Sequence, residues 1–316
     1  MVNIFGDDII DAYTNGNRVK EIYSNGVLVW SKTPPQENNK IYYTSTDGNI
    51  VTPYDTKEFG DAVIVSNTYS GGQGVIEFDR NLTYIGPFVF ADCSSLTSIT
   101  IPDGVTEIGG GAFDDCTGLA SIVIPSSVTN LGTAAFSGCS SLTSITLPDG
   151  ITMIRSQLFD GCSSLTSITI PDGVTKILEN AFRNCSSLTS ITIPDNVIEI
   201  ESGAFDRCVS LVSVDIRGDV SVIGNSAFRY CRGLTSITLP DSVTEIRFKA
   251  FYGCSLLSEV IVNAVVPPNM TKNYQDIYDQ FDGNASGRKI KVPAASLQAY
   301  KTATGWSTYA ADIISQ

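Results

Sequence analysis

A phenylalanine recurs every 23 residues, at Phe90, Phe113, Phe136, Phe159, Phe182, Phe205, Phe228 and Phe251. A cysteine follows each of them three positions later, from Cys93 to Cys254, and this column uses all 8 cysteines of the chain. A leucine stands three positions further on, from Leu96 to Leu257. A period of this length, held without slippage, argues against a single globular core. It requires stacked units, each of which covers its apolar face only against its neighbours.

Within one unit, Leu96-Thr97-Ser98-Ile99-Thr100-Ile101 alternates apolar and hydroxyl residues as a half-buried strand does, with Ile99 and Ile101 inward and Ser98 and Thr100 outward. Pro102-Asp103-Gly104 has the chemistry of a tight turn. A second short strand over residues 105–108 buries Val105 and Ile108, and the glycine-rich stretch into Ala112-Phe113 predicts one helical turn that plugs Phe113 into the core. Each apolar side chain contributes about 1.5–3 kcal/mol only once a neighbouring coil covers it, so both ends of the stack need caps. The resulting division is a small β module at 1–32, a linker at 33–39, an N-terminal β cap at 40–74, the repeat solenoid at 75–263 and a C-terminal cap at 264–316 with a closing helix over 297–314.

Histidine is absent and the formal charge is −13. The first observation removes the usual general base and the commonest metal ligand; the second opposes nucleic acid and anionic membranes as partners. The N-terminal residues have no basic and apolar signal-peptide pattern, and no stretch is long and apolar enough to cross a bilayer. The cysteines, never closer than 23 residues, predict a reduced buried row of free thiols and no metal site or cofactor. No nucleophile stands with a base, so an enzyme is the weakest of the functional classes.

These units, of the form Ala-Phe-x-x-Cys-x-x-Leu-x-x-Ile-x-Ile-Pro, resemble those of the BspA-like leucine-rich-repeat family over residues 75–263. The ending Val292-Pro293, Tyr300-Lys301 and Gly305-Trp306 is similar to the usual terminus of that family. The resemblance implies a right-handed leucine-rich-repeat solenoid, mostly β with short helical turns, and members that are often surface proteins mediating attachment. It implies no catalytic residues. Arg217 and Asn263 depart from the pattern at the proline position, and Val123, Asp215 and Ile261 where threonine recurs.

Residues 1–32 read differently, as short strands separated by Asn15-Gly16-Asn17 and Ser24-Asn25-Gly26 turns. Their run from Val19 to Trp30 resembles small β modules of phage tail and fibre proteins. So few strands cannot cover their own apolar faces, which makes Tyr13, Tyr23 and Trp30 candidate assembly contacts. Homo-oligomerisation or virion assembly through residues 1–32 follows as an expectation.

The outward Ser/Thr row, as at Ser144, Thr146, Ser167, Thr169, Ser190 and Thr192, fits ordinary strand propensity, although such hydroxyl arrays also suit ice or glycans. The two residues between each Phe and Cys vary most. Residues 75–170 carry nine acidic against two basic residues, and residues 171–263 carry eleven against eight. Basic and aromatic residues therefore gather towards the C-terminal end of one edge, giving the candidate partner-binding residues Arg183, Arg207, Arg229, Tyr230, Arg232, Arg247, Lys249 and Tyr252. Exposed charges contribute little to folding, so reversing Arg207, Arg229 and Arg232 is expected to spare stability. The functional expectation is a non-enzymatic interaction protein that binds a protein or cell-surface glycan. It would be made in the cytosol without a signal peptide and carried on a phage virion; the alternative is a bacterial surface adhesin, which requires an export signal.

Overall fold

The computed structural model describes residues 21–24, 27–31, 37–272, 277 and 279–316. Strands Glu21–Ser24 and Val27–Ser31 pair antiparallel, Ser24 opposite Val27, which agrees with the hairpin read from the sequence. Tyr13 lies outside the described residues, as do the side chains of Tyr23 and Trp30.

Each coil contributes one strand to each of two parallel rows. The first runs through Leu96–Thr100, Ser144–Thr146, Ser190–Ile193 and Glu259–Val262, and the second through Glu107–Ile108, Lys176–Ile177 and Glu245–Ile246. Register is fixed by identity: Ser144, Ile145 and Thr146 lie opposite Ser167, Ile168 and Thr169 of the next coil. A one-residue slip would turn every apolar side chain to solvent.

Between the rows the eight repeat phenylalanines form one buried column. Phe182, Phe205, Phe228 and Phe251 stack nearly parallel at 5.2–5.4 Å between centroids. The spacing widens to 5.8 Å between Phe136 and Phe159, and Phe159 and Phe182 tilt by 17°. That coil carries buried Leu158 where its neighbours have Ala135 and Ala181, and the larger side chain holds the coils apart.

Where the sequence predicts one helical turn before each phenylalanine, the chain makes a run of tight turns instead. Every second amide reaches the next coil: Gly111 N–H donates to Thr133 O, Phe113 N–H to Ala135 O and Asp115 N–H to Ser137 O at 2.8–2.9 Å. A continuous helix would keep those amides within its own segment. Two left-handed residues bracket the turn in each coil, at Gly111 (φ 61) and Asp115 (φ 53) in this one.

The cysteine column is more than apolar filler. Cys116 Sγ donates to the carbonyl of Phe90 at 2.9 Å, Cys185 to Phe159 at 3.1 Å and Cys254 to Phe228 at 3.0 Å, always one coil back. Cys93 breaks the rule and is only half-buried, contrary to the expectation that all eight are enclosed. No repeat phenylalanine stands one coil before it, where the chain has Asn67, and its thiol meets Thr52 O at 3.7 Å.

At the N-terminal end, strand Lys40–Ser45 pairs antiparallel with Leu96–Thr100 on one side and with Gln73–Phe78 on the other, while Phe59 and Phe78 close over Phe90. At the C-terminal end Phe281 extends the stack, 5.5 Å from Phe251, and Asn284 takes the cysteine's place, its Nδ2 donating to Phe251 O at 2.8 Å. This degenerate coil escaped the sequence reading because the step to it is 30 residues rather than 23. The expected closing helix over 297–314 is also corrected. Only Leu297–Thr302 is α-helical; Gly305 (φ 84) ends that direction, Trp306–Tyr309 forms a 3-10 turn and Ile313–Ser315 becomes a last strand paired with Lys289–Val292. A long helix would leave the edge of Lys289–Val292 unpaired. Trp306 Nε1 donates to Pro268 O and Tyr300 Oη to Ala264 O, both at 2.7 Å, which seals the end.

Candidate recognition edge

The edge consists of the residues between each phenylalanine and the following leucine. The position before cysteine is left-handed in every coil, at Asp92, Asp115, Gly138, Gly161, Asn184, Arg207, Tyr230 and Gly253, with φ between 53 and 75. Six of these are Asp, Asn or Gly, which adopt that conformation at least cost. Arg207 and Tyr230 are the exceptions, in adjacent coils, and each carries about 1 kcal/mol or more of backbone strain.

The guanidinium carbons of Arg207 and Arg229 lie 5.4 Å from the Tyr230 ring centroid and that of Arg232 lies 5.6 Å away, within cation–π range. The ring passes over Gly253 of the next coil, where any Cβ would sit 2.5 Å from it, and meets Tyr252 edge-on at 5.7 Å. Lys249 extends the patch, its Nζ 5.0 Å from the Tyr252 ring and 3.9 Å from Asp279. The structure thus brings Arg207, Arg229, Tyr230, Arg232, Lys249 and Tyr252 together.

Arg183 and Arg247 stand apart. Arg183 grips buried Asp160 of the preceding coil with Nε 3.0 Å from both carboxylate oxygens, and Arg247 pairs with Glu245 at 3.2 Å. Arg229 does the same as Arg183, placing Nε 2.9 Å and Nη2 2.7 Å from the two oxygens of buried Asp206. The hydrogen bonds to these carboxylates hold both guanidiniums protonated, above their ordinary range. The expectation that reversing Arg229 spares stability is therefore corrected, because it would strand a buried carboxylate and cost about 1–3 kcal/mol or more. Arg207 reaches the same Asp206 only at 3.9 Å, and Arg232 makes no ion pair among the described residues, so these two keep free charge.

Sequence reasoning missed the left-handed column and the Asp staples. The first was signalled by the run of Asp, Gly and Asn before cysteine, and the second by Asp and Arg alternating one coil apart at 160, 183, 206 and 229. On the hydroxyl face, Ser167, Thr169, Ser190, Thr192, Asp195 and Arg217 line a groove of about 690 Å³, with Arg217 bonded to Asp215 at 2.7 Å.

The model of the BspA type leucine rich repeat region matches residues 74–185 and 152–279, in 6 copies. The chain belongs to the BspA-type leucine-rich-repeat family. Among solved structures, a leucine-rich-repeat protein of Bacteroides ovatus is 22% identical over 79% of this chain and 72% of its own, with a TM-score of 0.49. A leucine-rich-repeat protein of T. pallidum is 29% identical over 56% of this chain and 72% of its own, with a TM-score of 0.40. A leucine-rich cell surface protein of Faecalibacterium prausnitzii is 22% identical over 81% of this chain and 95% of its own, with a TM-score of 0.31. No curated protein matches the chain. The family match spans the repeats that carry the edge.

Proposed function

We propose that this protein is a non-catalytic recognition module, a repeat protein of interaction or adhesion that binds its partner through the edge around Tyr230. The observation that carries the reading is the contrast between column and edge. Every coil repeats the same buried phenylalanine, whereas two adjacent coils place Arg207 and Tyr230 in a backbone conformation that suits neither. The turn imposes that conformation in every coil, so what sets these two apart is an arginine and a tyrosine where Asp, Asn or Gly stand elsewhere, a choice that serves the surface and not the turn. Residues 1–32 are the mount that joins the module to a larger assembly, and a phage virion is the setting that the resemblance of the run from Val19 to Trp30 suggests; a bacterial surface adhesin is the competing setting. The test is capture of partners from cell-surface extracts by the whole protein and by an Arg207→Ala/Arg232→Ala variant. A partner retained by the first and lost by the second supports the reading, and equal retention overturns it.

A further inference from the structure

We propose that the edge around Tyr230 takes an acidic protein segment, whose carboxylates pair with Arg207 and Arg232 while an apolar or aromatic side chain beside them seats against Val209 and Leu256. This inference rests on the recognition reading above and names the chemistry of the partner.

Three guanidiniums surround one ring, yet the single carboxylate among them, Asp206, is already taken by the forked grip of Arg229. Arg207 and Arg232 are left as exposed donors without a close acceptor, on a chain whose overall charge is −13. A polyanion is repelled by the molecule as a whole and can be held only where positive charge is concentrated, so this edge selects for anionic groups. A guanidinium offers paired N–H donors that match a carboxylate fork.

The aliphatic residues decide between a protein and a sugar. The position after cysteine is Ser or Thr in six of eight coils, and the two exceptions are Val209 and Arg232, in adjacent coils. Gly233 N–H donates to Val209 O at 2.9 Å, which places the stretch carrying Arg232 directly beside Val209. One coil further on, Leu256 occupies the column held by Gly233. Val209 is 37% exposed and Leu256 57%, in a rim whose nearest carboxylates, Asp206 and Asp279, already face Arg229 and Lys249. Sugar hydroxyls need acceptors as well as donors, and this rim has few acceptors to give. Arginine, tyrosine and exposed aliphatic side chains together are the composition of a protein-binding hot spot.

The ring is also set before any partner arrives. It lies against Gly253 and edge-on to Tyr252, and its left-handed backbone fixes its direction. Asparagine tolerates that backbone better than arginine or tyrosine, and the relief offsets the lost surface contacts, so Arg207→Asn and Tyr230→Asn should melt close to the parent while removing the binding groups.

The test measures binding of the full chain to a random copolymer of glutamate and tyrosine and, separately, to heparin, at fixed salt. The expected result is that the copolymer binds more tightly than heparin, that Arg207→Asn/Arg232→Ala and Tyr230→Asn each weaken it at least tenfold, and that both variants unfold cooperatively at a melting temperature close to the parent's. Tighter heparin binding, lost in the same variants, would overturn the acidic-protein assignment while leaving the edge a recognition site. Binding of neither probe, or copolymer binding unchanged in the variants, would overturn both.

Discussion

The thiol of Cys162 donates to the carbonyl oxygen of Phe136 across 3.1 Å, from one coil back to the one before it. That oxygen also accepts the Cys139 amide at 3.3 Å, so each phenylalanine carbonyl joins its own turn to the following coil. A cysteine in this column is both a small apolar filler and a donor, and an aliphatic residue supplies only the first.

Replacing Cys162 by Ala should therefore destabilise the protein by about 1–2 kcal/mol, towards the lower end of a lost buried hydrogen bond because Phe136 O keeps one donor. Cys162→Ser, which retains a hydroxyl donor, should cost less. Urea denaturation of the two variants checks the order, and a serine variant weaker than the alanine one would show that burying a hydroxyl there costs more than its hydrogen bond returns.

Thiol reactivity should divide the column. Burial pushes the Cys93 thiol up to about 11 and that of Cys254 up to about 12, with the enclosed thiols between them also raised. Iodoacetamide at pH 8 should modify half-buried Cys93 first and the other seven only on unfolding, as read by mass spectrometry. Uniform labelling of the native protein would refute this.

The same shifts set an alkaline limit. A folded thiol pKa raised above the unfolded value of about 8.5 gives stability that is complete below that pH and is lost as pH rises towards the folded value. The melting temperature should fall steeply between about pH 9 and 12, where unfolded chains release thiol protons that folded ones retain. Cys254→Ala should flatten the slope, and an unchanged slope would assign the loss to other groups.

Removing the Phe159 ring leaves a hole between the Phe136 and Phe182 rings, in a central coil held by strands on both sides. Phe159→Ala should cost about 3–5 kcal/mol by chemical denaturation. A loss under 1 kcal/mol would mean that the coils close over the gap.

Arg229→Glu should melt well below the parent because buried Asp206 loses its partner and gains a like charge. Arg232→Glu, at an exposed site, should melt with the parent. Equal melting of both by calorimetry would contradict the stapling role of Arg229.

The repeats were legible because the core demands the same residue at the same place in each coil, as at Phe159 and Leu165. What stayed hidden depends on geometry that periodicity does not encode. Left-handed φ at Arg207 follows from its place in the turn and contradicts the preference of arginine itself. The staple between Asp206 and Arg229 joins residues 23 apart that become neighbours only when coils stack. The last strand, Ile313–Ser315, looked helical because Leu297, Tyr300 and Lys301 suit a helix, whereas the unpaired edge of Lys289–Val292 determines the outcome.

Because each coil hands its neighbour the same ring, thiol and carbonyl, coils are interchangeable. A gene that gains or loses one block of 23 codons between the caps would lengthen or shorten the stack without a new core to invent. The charged edge, built from three adjacent coils, would travel only with the run of blocks that encodes them. Recombination can thus relocate a binding surface along such a protein, or double it, while point mutation refines it one left-handed position at a time.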